Sequence, residues 1–297
     1  MNKVKTNKIL IPVDFSKTSL YAVKYAAFTA KLTKGEVILL NVQKESDLLD
    51  IILPALKLKN ANVITAFIEE KLEKLASEIR KKYGIKATAI ASTGNVASEI
   101  VAISKETKAG LIVMGTHGKD STNDLFLGSN AYRVLTKSDI PVMTVRKGAD
   151  KLGFSKIVLP VDMTTHSRQK VDSAIHLADK FASHIYVLGL LDKGEERDRK
   201  SMETIIAQIK KLAAKKKIVV SGDIKVSKDH SNTTLAYCRK TKADLLCVMI
   251  DENSEFSRVV LGTTVQHIIN ESNIPVLGIP PESHPETAHS DSLGGMW

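Results

Sequence analysis

The sequence predicts an α/β protein made of two tandem, doubly wound domains, each with a five-stranded parallel sheet. Three observations carry that prediction. The string Lys8-Ile9-Leu10-Ile11-Pro12-Val13-Asp14 returns 148 residues later as Lys156-Ile157-Val158-Leu159-Pro160-Val161-Asp162, an internal repeat that divides the chain before any element is assigned. Each copy alternates short Val/Ile/Leu runs with longer amphipathic stretches, the pattern of strands buried on both faces and connected by helices. In copy one, the apolar run Leu111 to Met114 feeds a glycine-bearing loop, and the amphipathic run Ala131 to Leu135 leaves it.

In copy one, strands are expected near 8–14, 36–42, 85–92, 111–115 and 141–146, and helices near 17–32, 60–83, 97–108 and 129–137. Ser16 or Ser19 suits the N-cap of the first helix, and the run Ala97 to Ser104 follows a turn at Asn95. In copy two, strands are expected near 156–162, 184–190, 218–227, 244–250 and 275–279. Ala30 to Val42 aligns with Ala178 to Leu190 at the offset of 148, whereas Leu127-Gly128-Ser129 aligns with Leu261-Gly262-Thr263 at 134. Copy two has therefore lost 14 residues after its second strand. The segment Gln43 to Lys59 is the expected place. Its apolar patch, Leu48 to Leu56, is interrupted by Pro54 and reads either as a short helix covering the ligand side or as a packing loop.

The domains are placed at 1–147 and 156–280, with a linker at 148–155 and a polar tail, 281–297, expected to be disordered. The last strand of each copy, Pro141 to Val145 and Pro275 to Ile279, would leave an apolar sheet edge if unpaired. The two are expected to pair with each other.

Composition narrows the function classes. The chain has 297 residues, 43% hydrophobic and 26% charged, ordinary values for a globular protein. No apolar run approaches the ~20 residues of a membrane span. Met1 to Asn7 is short, basic and polar and does not read as a secretory signal; a cytoplasmic protein is the expectation. The formal charge of +10 falls on lysines along exposed helix faces, without an arginine-rich arm or RNA-binding aromatic signature, so neither a nucleic-acid nor a membrane partner is expected. The two cysteines, Cys238 and Cys247, lack disulfide or zinc spacing. Cys247 reads as core.

The loop of copy one has the construction phosphate needs. Gly115 and Gly118 let backbone N–H groups approach an anion. Gly128 and Ser129 stand at a helix start, where unpaired N–H groups and the positive dipole end meet. A Rossmann site would place glycines after the first strand, which here ends Pro12-Val13-Asp14. A P-loop would need GxxxxGK followed by Ser or Thr, which neither copy has.

At these residues the sequence resembles a tandem universal stress protein. ATP-binding members of that family carry G-x2-G-x9-G-[S/T] after the fourth strand, and Gly115, Gly118, Gly128 and Ser129 satisfy every fixed position. The resemblance implies an adenine nucleotide alpha hydrolase-like, pseudo-dimeric fold that binds ATP, accompanied by Mg²⁺. By position it implies Asp14 at the adenine or ribose end, Pro12, Val13 and Val42 along the adenine, and Met114 and Gly115 beneath the ribose. Gly118, Gly128, Ser129 and Asn130 would hold the phosphates, with His117 and Lys119 within reach. Read without the family, Asp14 also suits a helix cap, His117 a turn, Lys119 a solvated position, and Gly128-Ser129 a plain helix start.

Copy two departs from the motif. Met249 and Glu252 stand at the first two glycine positions, and the loop Asp251 to Glu255 is acidic. ATP is therefore not expected there, although Asp162 leaves room for another ligand; the copy reads as a structural, pseudo-dimeric partner. No catalytic constellation is evident. The expected function is an ATP-dependent stress or regulatory protein with an unidentified protein partner and a possible homodimer. The alternatives are a slow ATP hydrolase using His117, Asp120 or Asp124, and a nucleotide-independent interaction protein.

Overall fold

A computed structural model describes residues 4–44, 61–116, 127–146, 152–250 and 261–281. In the first copy the described elements are β1 (Lys8–Pro12), α1 (Lys17–Thr33), β2 (Glu36–Gln43), α2 (Ala61–Tyr83), β3 (Ala87–Thr93), α3 (Val96–Glu106), β4 (Leu111–Gly115), α4 (Ser129–Lys137) and β5 (Val142–Val145). The second copy has β6 (Lys156–Val161), a 3-10 turn (His166–Arg168), α5 (Val171–Phe181), β7 (His184–Leu191), α6 (Glu196–Ala214), β8 (Val220–Val226), α7 (His230–Thr241), β9 (Leu245–Met249), α8 (Thr263–Glu271) and β10 (Val276–Ile279).

The strands form one ten-stranded sheet in the order β3-β2-β1-β4-β5-β10-β9-β6-β7-β8. Pairing is parallel within each copy. The join is antiparallel: Val276, Leu277 and Gly278 of β10 lie opposite Thr144, Met143 and Val142 of β5. The two apolar edges therefore cover one another, as the sequence led us to expect.

Alternation along the strands decides the layers. Ile9, Ile11, Leu39, Leu111 and Val113 point to one core, shared with α1 and α2. Leu10, Ile38, Leu40, Ile112 and Met114 point to the other, shared with α3 and α4. Both cores run on into copy two. On the α1 face the linker residue Phe154, 1% exposed, stacks near Tyr25 and tilts against Phe181, with ring centroids 6.1 and 4.8 Å away.

The two first helices differ. Ser16 is the N-cap of α1, its hydroxyl accepting from the Ser19 N–H, and α1 runs unbroken to Thr33. The equivalent stretch in copy two is a 3-10 turn, a break at Gln169 and Lys170, and a helix beginning only at Val171. The uniform offset did not announce this. A physical reason is found at the loop end of the sheet: a Cβ on Gly115 would lie 2.8 Å from the Thr18 methyl carbon and 3.2 Å from its carbonyl carbon. The first turn of α1 packs on a bare backbone, and Met249 removes that option in copy two.

Candidate functional site

Connections leave β1 toward β2 on one side and β4 toward β5 on the other. Their neighbouring C-terminal ends, residues 13–14 and 115–116, form the topological switch point where open α/β sheets make a crevice. Of the residues singled out in the sequence, those described lie at the ends of β1, β2 and β4 and at the start of α4.

The exit of β1 is held by its neighbour. The Val13 N–H donates to the Leu40 carbonyl at 2.7 Å, and the buried Asn41 amide donates to the Val13 carbonyl at 2.6 Å. Gln43 in turn donates to the Asn41 oxygen. Pro12 and Val42 are half-buried, and Val13 is buried in the core shared with α1 and α2. Asp14 accepts from the Ser16 N–H at 2.9 Å. It closes a turn ahead of α1, while the N-cap position itself belongs to Ser16. Phe15 follows with φ +62°, a left-handed conformation that a bulky side chain adopts only under strong local constraint.

The second wall comes from β4. Met114 is buried, Gly115 is half-buried, and Thr116 donates its N–H to the Val145 carbonyl at 3.1 Å. Gly128 then donates its N–H to the Thr116 carbonyl at 2.8 Å, which draws the two ends of the intervening loop together. That bond commits the Gly128 N–H within the protein. What Gly128 supplies is an extended N-cap backbone, φ −61° and ψ 146°, without a Cβ. No side chain among the described residues caps α4, so Ser129, Asn130 and Ala131 present the first-turn N–H groups. Ser129 is exposed and Asn130 half-buried. His117, Gly118, Lys119, Asp120 and Asp124 lie outside the described residues, as do the 48–56 patch and the acidic loop 251–255.

Asn41 was missed in the sequence, although a signal exists: it is a lone amide among the aliphatic residues Val37 to Val42. Copy two has Gly189 there, and a Cβ at that point would meet the Met202 side chain at 2.5 Å.

Copy two keeps the helix start. Gly262 caps α8 with φ −57° and ψ 146°. Its crevice is otherwise built differently. Met249 is 5% exposed. Asp162 accepts from the Thr164 N–H and hydroxyl at 2.8 and 2.6 Å. Burial pushes the Asp162 carboxyl up, but the Thr164 and Ser167 hydrogen bonds and the Lys170 charge outweigh it and leave it below the ordinary range. Lys170, 3% exposed, donates to the Ser167 carbonyl. The aspartate that survives in the repeat closes a turn with the residue two places on, as Asp14 does with Ser16.

Elsewhere, Cys238 and Cys247 are both buried and free, and burial pushes each thiol up to about 12. Both are core groups, far from the thiolate form that a reactive cysteine needs. Among the described residues no group of three or more His, Cys, Asp or Glu side chains could hold a metal, and no helix is long and apolar enough to cross a membrane.

Comparisons with known proteins agree with this architecture. The universal stress protein family model matches residues 5–146 and 153–280. The chain is 32% identical over 158 residues to the universal stress protein MJ0577 of Methanocaldococcus jannaschii, an alignment covering 48% of this chain and 97% of that protein. It is 35% identical over 143 residues to MJ0531 of the same organism, covering 47% and 82%. A crystal structure of a universal stress protein from Archaeoglobus fulgidus superposes with a TM-score of 0.74 at 20% identity, covering 95% of this chain and 98% of that one. That likeness extends the shared fold over both copies.

Proposed function

The chain belongs to the universal stress protein family, and we propose that it binds ATP in its first domain and acts as a nucleotide-dependent regulatory protein. One observation carries the proposal. At the switch point of copy one, the strand end at Gly115 has no side chain, and the next residue, Thr116, is bonded to the start of α4, whose N-terminus has no side-chain cap. The same point in copy two is filled by Met249.

The residues fit the ligand. Pro12, Val13 and Val42 offer an apolar wall of the kind a purine ring packs against, and Asp14 stands at its edge as an acceptor for an amino or hydroxyl group. Ser129, Asn130 and Ala131 offer N–H groups and a helix dipole to the phosphates, and the Ser129 hydroxyl adds a donor. Mg²⁺ would arrive with ATP, neutralising the phosphates and keeping most of its waters. The described residues contribute shape and hydrogen bonds to a bound nucleotide. A protein partner or a second copy of the chain would read the ATP-bound state.

The test is to purify the protein without added nucleotide, denature it and chromatograph the supernatant. About one equivalent of ATP or ADP per chain is the expected outcome. Two equivalents would show that copy two also holds nucleotide. No release, followed by no heat on titration with Mg-ATP, would sink the proposal.

A further inference from the structure

The start of α4 is fastened from the other domain. The Leu127 N–H, immediately before the Gly128 cap, donates to the Asn270 side-chain oxygen at 2.7 Å. Asn270 lies in the last turn of α8, in copy two. Its own backbone carbonyl accepts from the Arg146 guanidinium, just beyond β5 in copy one. A cation at that place also complements the negative end of α8. Asn270 is therefore gripped at its carbonyl and presents its amide oxygen to the residue that leads into the cap.

The fastening runs one way. The residue equivalent to Asn270 in copy one is Thr136, and its hydroxyl turns back onto the Tyr132 and Arg133 carbonyls of its own helix. The residue equivalent to Arg146 in copy two is Pro280, which has no side-chain donor. The copy with the intact glycine motif thus receives a brace from its partner. Among the described residues, the copy that has lost the motif receives no equivalent side-chain pair.

We infer that Asn270 is a positioning residue for the phosphate end of the first-domain site. It fixes the Leu127 N–H, and through Gly128 it sets the direction of the Ser129, Asn130 and Ala131 N–H groups. A helix start has four N–H groups to direct, and an anion is held well only when they are pre-oriented. On this reading copy two is part of the site rather than a spare repeat. The inference rests on the ATP reading above.

The experiment uses the full chain and titrates Mg-ATP and adenosine, separately, into wild type, Asn270→Leu and Asn270→Asp. Amide exchange at Leu127 and thermal unfolding are followed in parallel. Losing one neutral hydrogen bond predicts that Asn270→Leu binds Mg-ATP about three- to tenfold more weakly. Adenosine, which touches only the Asp14 end, should bind as to wild type, and Leu127 exchange should rise. Asn270→Asp keeps the acceptor, so Leu127 should stay protected. Equal loss of ATP and adenosine together with a lowered melting temperature would reduce Asn270 to a structural contact and overturn the inference. So would unchanged ATP affinity in Asn270→Leu. A wild-type chain that binds adenosine but not ATP, or neither, would take down the ATP reading and the inference together.

Discussion

Two ends of the same sheet, one in each copy, began from the same sequence and now differ in three ways. Copy one keeps Gly115 bare against Thr18, clamps its first strand with Asn41, and receives the Asn270 brace. Copy two has Met249 in the first place and Gly189 under Met202 in the second, and in the third the counterpart of Asn270 is Thr136, whose hydroxyl stays on its own helix. Strand order, the glycine caps of α4 and α8, and both cores are nevertheless kept. The fold is held by apolar alternation along the strands. The site is held by a few residues at one edge, so it can be lost without loss of the frame.

The most damaging way to break the comparison is Gly115→Met, which imports the copy-two residue. Its Cβ would meet Thr18 at 2.8 Å, and overpacking of this kind costs about 1–3 kcal/mol. The chain should fold and calorimetry should record no ATP uptake; retained uptake would mean that this glycine does not separate the copies. Next, Met249→Ala should cost about 2–5 kcal/mol of stability in chemical denaturation. Nucleotide content should stay at one equivalent, because removing the plug restores neither Asn41 nor the brace. Asn41→Ala leaves the buried Val13 carbonyl without its 2.6 Å donor. It should cost about 1–3 kcal/mol and weaken ATP and adenosine alike, in contrast to Asn270→Leu. A smaller change comes from Ser129→Ala, expected to weaken ATP by no more than about tenfold, while the paired change Thr263→Ala should leave binding as it was.

The gentlest probe is pH, because the copies differ at the opposite end of the sheet. His184 in copy two occupies the place of Glu36 in copy one. Burial first, and the Lys156 charge second, hold His184 below its ordinary value. A group whose pKa is lowered in the folded state contributes stability that is full above its unfolded value, about 6.5, and is lost as pH falls through the lowered value. The Ser221 hydroxyl, 2.9 Å from His184, ties that loss to the β7–β8 pair. Burial pushes Glu36 up, but hydrogen bonds and charges from Lys86 and Lys8 outweigh it and leave it lowered, so copy one loses its share only below about pH 4.3. Between pH 7 and about 5, hydrogen exchange should quicken at β7–β8 and hold steady at β2–β3. Equal quickening at both would contradict the assignment.

Much of this was legible because strands buried on both faces leave unbroken apolar runs. The repeat fixed the domain count, and the bare ends of Val142–Val145 and Val276–Ile279 foretold their pairing. The glycine spacing pointed to the end of β4, where the proposed site lies. What stayed hidden depends on contacts distant in sequence. Nothing near Leu127 points to Asn270, which lies 143 residues away. Nothing in the 148-residue offset warns that Met249 accompanies a break in the helix after β6. Asn41 was visible as an amide among aliphatics, and only its strand neighbour gives it a task.

The antiparallel β5–β10 seam has a consequence for how such a chain changes over generations. In an assembly of two identical chains every substitution is made twice, so a residue useful on one side must be tolerated on the other. Here the halves share one gene but not one set of codons. Position 270 can become a brace while position 136 does not, and position 249 can fill while position 115 stays open. Covalent fusion across that seam is what allows one half to specialise as the support of the other.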